Sequence, residues 1–459
     1  MVGAMPVDLI PKFCNGGMDS LNGGEDCEYQ VSVGSRVKCN DDFGTVKYIG
    51  EVQGYKGIWY GVEWDNADRG KHDGYVEDVQ YFKTTKQGSG SFVRPNKIAP
   101  LKTCAEAIRK YYGDREKQSA TVNNELMSKI FLFSRKFDRL LEVCVHDQNV
   151  AKAGDVALLC PNVRSLDVSQ NLFSNWREII QLSAQLPDLR ELDVSKNRMA
   201  IDIPEETLTQ LSINFSILEK LNISVCDYEW SDIIALSHLW PKITEIIAAY
   251  NRIKIINPPD VTLHTMTVLR LDGNPIDSWY EVMNLGRLKN LKVLSLNDCY
   301  IDQIRFGENQ VNGKVDVFEN LEVLFLNRDR INDWRSVSEL NKLKSLKKLY
   351  FLKNPVQNNE DYDTGSQLIM AKIGNLQLLE ITLRDENGKS LKKKFPSTMA
   401  VQKLVTLAQR LFSKGNTGTP TLHIVDEQMK GAEIILDNVM KDLAFFSIKN
   451  GDTVVIRFR

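Results

Sequence analysis

The chain lacks a CxxC pair, a long apolar run and an excess of either charge. Its eight cysteines, at 14, 27, 39, 104, 144, 160, 226 and 299, are scattered through 459 residues. That spacing offers neither a paired-ligand metal site nor a redox centre, and the cysteines read as reduced, mostly buried thiols. Nowhere do ~18 uninterrupted apolar residues occur, and no basic stretch followed by an apolar core opens the chain. Neither a membrane span nor export is expected, and the cytoplasm is the expected compartment. With 58 basic against 60 acidic residues, there is no global field to hold nucleic acid or an anionic membrane, and neither is expected as a partner. The Walker loop, the GxSxG elbow and the HExxH pair are all missing, and the five histidines (72, 146, 238, 264, 423) are dispersed. The expectation is a protein without catalytic residues, metal or cofactor.

What is present starts with glycine beside aromatics. Residues 1–30 mix Gly, Asn, Asp, Cys and Pro without helical or alternating period and read as a mobile arm. From 31 to 100, short alternating runs such as Thr45-Val46-Lys47-Tyr48-Ile49 and Gly61-Val62-Glu63-Trp64 are punctuated by glycines, the pattern of a small β-barrel. The stretches Gly57-Ile58-Trp59-Tyr60-Gly61, Gly70-Lys71-His72-Asp73-Gly74 and Gly90-Ser91-Phe92-Val93-Arg94-Pro95 resemble the CAP-Gly domain. Dense glycine lets the backbone turn tightly, so that rings and a lysine can converge on a shallow groove suited to an extended peptide end. Val33 to Pro100 holds ten Lys/Arg and nine Asp/Glu, so attraction must come from placed contacts.

Lys71 can pair with a carboxylate, His72 can donate to one, and Trp59 and Phe92 can sandwich an aromatic ring. The CAP-Gly resemblance implies capture of C-terminal acidic-aromatic tails of the Glu-Glu-Tyr type, with Trp59, Lys71, His72, Gly74, Phe92 and Arg94 at the peptide. His72 stands where the family more often has Asn. Trp59 and Phe92, flanked by glycines, read as groove residues, and Trp64 fits either groove or barrel core.

Between 101 and 160 the pattern turns helical, with Ile108, Leu126, Ile130, Phe133, Phe137, Leu140, Leu141 and Val145 spaced mostly by three or four. This segment reads as a linker and N-terminal cap. From 161 to 375 the chain repeats itself. The frame LxxLxLxxN recurs eight times, closing at Asn171, Asn197, Cys226, Asn251, Asn274, Cys299, Asp329 and Asn354. The steps are 26, 29, 25, 23, 25, 30 and 25 residues, the period of a leucine-rich-repeat α/β solenoid with a C-terminal cap. A closing Asn or Cys can satisfy turn backbone groups that the stack would otherwise bury unpaired; Asp329 is the odd member.

The framework leucines are core, so function belongs to the strand positions between them, on the concave side. These are polar early (Asp167, Glu191, Asp193) and apolar late (Val323, Phe325, Tyr350). The apolar set either packs sideways on itself or forms a protein-binding patch.

Residues 376–459 carry two strands around Asn387-Gly388, then an amphipathic helix with Val401, Leu404, Val405, Ala408, Leu411 and Phe412 on one face. Strands near Leu422-Ile424 and Val454-Phe458 follow. This ββαββ order resembles an α+β ubiquitin-like (β-grasp) domain, and without a terminal Gly-Gly it reads as a docking module.

The order CAP-Gly, leucine-rich repeats, ubiquitin-like domain resembles the tubulin-folding cofactor E family over nearly the whole chain beyond residue 30. The resemblance implies a cytoskeleton-associated chaperone that binds α-tubulin. It also implies work with cofactors D and B and a small Arf-like GTPase in assembling or dismantling the αβ-tubulin dimer. Two other classes stay open: a microtubule-associated adaptor, or a ubiquitin-pathway adaptor whose terminal domain docks on the proteasome.

Overall fold

The computed structural model describes residues 30–119, 137–259, 262–307, 313–358, 362–412, 418–426 and 432–458. The arm expected over residues 1–30 lies outside them except for Gln30, and so do Leu126, Ile130 and Phe133. The architecture is multidomain, with a small β-barrel, a leucine-rich-repeat solenoid and a β-grasp domain in chain order.

The barrel's main sheet runs Arg36–Cys39, Asp42–Val52, Tyr55–Trp64, Gly90–Val93, each strand antiparallel to the next. Alternation sends Val37, Cys39, Val46, Val62, Trp64 and Val93 into one small core. Trp64 is 1% exposed, with its indole N–H donating to Ser91 Oγ at 2.5 Å; it belongs to the core.

The solenoid sheet has nine parallel strands of three residues, from Glu142–Cys144 to Lys348–Tyr350. Eight follow the frame read from sequence. The ninth, Glu142–Cys144, sits in register with Ser165–Asp167, which corrects the helical reading of this stretch. Helix holds over Cys104–Ser119, but Leu140, Val143, Val145 and Gln148 then occupy the repeat frame with Gln in the Asn position. Two β-branched residues at period 2 beside an open sheet edge favour a strand, and Val145 N–H donates to Asp167 O at 2.8 Å.

The closing side chains stitch the stack. Asn171 Oδ1 accepts from the N–H groups of Gln148 and Val150, and its Nδ2 donates to the carbonyls of Val145 and Val168. Cys226 and Cys299 substitute with thiols 3.5 and 3.2 Å from the carbonyls of Val194 and Leu271. Among the described cysteines five are buried, and Cys144 is exposed. On the opposite side, helices Trp176–Gln185, Trp230–Ser237, Trp279–Met283 and Trp334–Glu339 each start on a tryptophan directly after a polar cap residue. Trp176, Trp230 and Trp279 are buried against the coils behind the sheet.

The β-grasp sheet runs Ser390–Pro396, Leu378–Asp385, Thr453–Phe458, Pro420–Asp426, Ala432–Ile435. The last of these strands is absent from the sequence reading. Its helix, Val401–Phe412, buries Val401, Leu404, Leu407, Ala408 and Phe412; Val405 and Leu411 pack at the margin.

Both small domains are mounted on the solenoid. Asp65 accepts from Arg36 of the barrel and from Arg198 of the repeats, at 2.8 and 3.1 Å, and Lys38 pairs with Asp147 at 2.7 Å. At the other end Leu376 lies in the solenoid core and Leu379 in the β-grasp core, a junction too short to act as a flexible linker.

Candidate peptide-binding groove

The loop around residues 66–74 builds one wall of a groove in the barrel. Gly70 and Gly90 are required there by close backbone approach: a Cβ on Gly70 would sit 2.0 Å from the Gly88 carbonyl oxygen, and one on Gly90 2.6 Å from the His72 carbonyl oxygen. Two carboxylates, half-buried Asp73 and buried Glu63, hold the facing loop. Asp73 accepts from Thr84 Oγ1 and Gly88 N–H, and Glu63 accepts from the N–H and hydroxyl of Thr85. Burial alone would raise the Glu63 pKa, but the hydrogen bonds from Thr85 and Lys47 outweigh it and hold the carboxyl below its ordinary value.

The resulting groove has a volume of about 350 Å3 and is lined by Val52, Tyr55, Trp59, Arg69, Lys71, His72, Val76, Ser91, Phe92 and Val93. Four of the six residues expected at the peptide therefore line one cavity: Trp59, Lys71, His72 and Phe92. Gly74 does not. It is buried with φ +88°, and a Cβ there would meet the Phe82 carbonyl oxygen at 2.0 Å, so it shapes the loop instead. Arg94 lies over the Trp59 ring with its guanidinium carbon 3.6 Å from the centroid, and it donates to Ile58 O at 3.3 Å. This stack covers one face of Trp59, so a two-sided aromatic sandwich has only the other face available. The Trp59 indole N–H is buried without a hydrogen-bond partner among the described residues.

Phe92 is one ring of a cluster, edge-on to Tyr48, Tyr81 and Phe82 at 5.4–6.1 Å and tilted against His72 at 5.3 Å. His72 Nδ1 accepts from Gly74 N–H at 3.0 Å, which leaves Nε2 as the protonated nitrogen of the neutral ring. Burial pushes the imidazole pKa below its ordinary value, Lys71 adds to this and Asp73 opposes it. A neutral ring that offers one N–H is the form that donates to a peptide oxygen. Lys71 is exposed and has no ion-pair partner among the described residues. Sequence reasoning missed Tyr55 and Arg69; Arg69 stands two residues before Lys71, and that spacing was its available signal.

The second expected surface is the concave face. Asp167, Glu191 and Asp193 line a shallow channel of about 400 Å3 with Lys220, Asn222 and Glu245. Several of these charges are already satisfied: Lys220 pairs with Glu191 at 2.6 Å, and Asn222 donates to Asp193 at 2.7 Å. At the far end Val323 is half-buried beside the rings of Phe325 and Tyr350, which stack 4.2 Å apart and 6° from parallel. The Tyr350 hydroxyl donates to Asp442 of the β-grasp domain at 2.6 Å. Burial, reinforced by that carboxylate, pushes the Tyr350 pKa up. Tyr350 is thus engaged within the chain, while Leu352 is 40% exposed. Among the described residues no group of three His, Cys, Asp or Glu is placed to hold a metal ion, and no helix is long and apolar enough to cross a membrane.

Residues 33–98 match the CAP-Gly domain family. The chain is 28% identical to tubulin-specific chaperone E of Mus musculus, over 93% of this chain and 98% of the mouse protein. It is 30% identical to tubulin-specific chaperone E of Drosophila melanogaster, over 78% of this chain and 71% of the fly protein. The solution structure of the C-terminal ubiquitin-like domain of mouse tubulin-specific chaperone e is 32% identical over 18% of this chain and 87% of that domain, with a TM-score of 0.17.

Proposed function

Because the chain belongs to the tubulin-specific chaperone E family, we propose that it is a tubulin-folding chaperone whose barrel groove holds the acidic-aromatic C-terminal tail of α-tubulin. The observation that carries this reading is the convergence of Trp59, Lys71, His72 and Phe92 on one groove, with no carboxylate among the described residues that line it. A tail ending Glu-Glu-Tyr supplies what such a groove lacks: negative charge for Lys71, an acceptor for the His72 N–H and a ring for the open face of Trp59.

In this reading the concave face of the solenoid takes the body of α-tubulin. Linking tail and body sites makes the second contact intramolecular, so two moderate affinities combine. The mounting contacts Arg198–Asp65 and Lys38–Asp147 support a fixed spacing between the two. Preference for the α monomer over the dimer then pulls the dimer apart, since a ligand shifts an equilibrium only by its differential affinity. Cofactors D and B and a small Arf-like GTPase complete the proposed pathway, in the cytoplasm.

The test is to mix the purified protein with αβ-tubulin and resolve the products by gel filtration. Co-elution with α-tubulin alone is the expected result. Tubulin that stays dimeric and unbound, or a complex that forms only with microtubules, refutes it.

A further inference from the structure

We propose that Arg69 is a second carboxylate reader in the groove, distinguishing peptides that carry acidic side chains before the terminal residue. The inference rests on the tail-binding reading above. Arg69 closes the short turn Ala67–Arg69, and Gly70 continues it in extended conformation towards Lys71. The side chain is held on two sides. Its Nε lies 2.8 Å from the Asp42 carboxylate, and its guanidinium carbon lies 4.7 Å from the centroid of buried Trp64. Among the described residues its two Nη groups donate to no other side chain or carbonyl.

A guanidinium fixed through Nε and one face presents the remaining donors as a pre-organised fork. Such a fork binds a carboxylate bidentately, which an ammonium cannot do. Lys71 stands two residues away, so the pair offers a rigid fork and a mobile point charge ~7 Å apart along an extended backbone. That spacing suits two carboxylates of one extended peptide end. The neutral His72 adds a hydrogen bond without a third charge.

The experiment titrates the full chain with a peptide ending Glu-Glu-Tyr and with two analogues in which either glutamate is replaced by glutamine. Wild-type protein is expected to prefer the diacid over one analogue by about tenfold, the low end of what a charge-assisted hydrogen bond contributes. Arg69→Gln and Arg69→Lys are both expected to bring that preference below ~3-fold, because lysine keeps the charge but not the fork. Asp42→Asn separates reading from scaffolding. If Arg69 reads the peptide, Asp42→Asn keeps the preference, because the amide oxygen still accepts from Nε and holds the fork; if Arg69 merely serves the Asp42 charge, Asp42→Asn abolishes it as fully as Arg69→Gln. Preference retained in Arg69→Gln, or lost in Asp42→Asn, overturns the inference while leaving tail binding intact. Wild-type protein that binds none of the peptides overturns the tail-binding reading itself.

Discussion

Replacing Asp329 with asparagine is expected to stabilise the solenoid, and to do so more strongly as pH rises. Asp329 occupies the closing position of its repeat, 4% exposed. Oδ1 accepts from Cys299 N–H at 2.9 Å, whereas Oδ2 is buried without a partner. At the equivalent place Asn274 and Asn354 use Nδ2 to donate to frame carbonyls. An ionised Asp has nothing to donate there; a protonated one does. Burial, only partly offset by hydrogen bonds from Cys299 and Ile301, pushes the Asp329 pKa up to about 8.

The unfolded chain releases this proton near pH 4 and the folded chain near pH 8, so between these limits the folded state binds one proton more. Stability therefore falls with rising pH at about 1.4 kcal/mol per unit, reaching roughly 4 kcal/mol by pH 7. Asp329→Asn removes the titration and restores the donor. Urea unfolding of both proteins at pH 5, 6, 7 and 8, followed by circular dichroism, measures the difference. The gap in favour of Asp329→Asn should be ~1.5 kcal/mol at pH 5, grow by ~1.4 kcal/mol per unit and level off above pH 8. A gap independent of pH, or a less stable variant, refutes the reasoning.

Lys71→Ala and Trp59→Ala should each weaken binding of a Glu-Glu-Tyr peptide by at least ~1 kcal/mol with the barrel still folded, as read by calorimetric titration. Gly70→Ala should cost the barrel several kcal/mol, ~3 or more, because its Cβ meets backbone that cannot move aside; thermal unfolding of the barrel at an unchanged temperature contradicts this. Phe325→Asp should spare peptide binding and weaken capture of whole α-tubulin, and equal recovery in a pull-down counts against the concave-face site. Tyr350→Phe keeps the ring stack but removes the donor to Asp442. Amide exchange around residues 442–446 should accelerate, with a global stability change near ~1 kcal/mol, and unchanged exchange shows that the hydrogen bond does not hold the β-grasp domain.

The repeats were the most legible part of the chain because their signal is periodic: each leucine of the frame faces the core wherever the next coil stacks. The first unit escaped because Gln148 stands in place of the closing Asn and because Leu140, Leu141 and Val145 also fit helical spacing. Only pairing with Ser165–Asp167 resolves the two. In the groove, Trp59, Lys71, His72 and Phe92 were legible from the glycine motifs around them. Arg94 was placed at the peptide but stacks on Trp59, and Gly74 was counted as a contact but serves the loop. A motif records which residues are near a site, and not which way each side chain turns.

Composition and spacing alone determined the solenoid period and the amphipathic helix of the C-terminal domain, and the glycine motifs marked the stretches from which Trp59, Lys71, His72 and Phe92 line the groove. These follow from local rules, namely where apolar side chains recur and where glycine permits a turn. Tertiary structure decided what depends on residues far apart in the chain. Asp65 binds Arg36 and Arg198, Tyr350 gives its hydroxyl to Asp442, Trp64 enters the core while Trp59 stays at the groove, and Asp329 keeps a proton because burial denies its carboxylate water. Each is a competition among neighbours brought together by folding, and a linear pattern does not contain the distances that settle it.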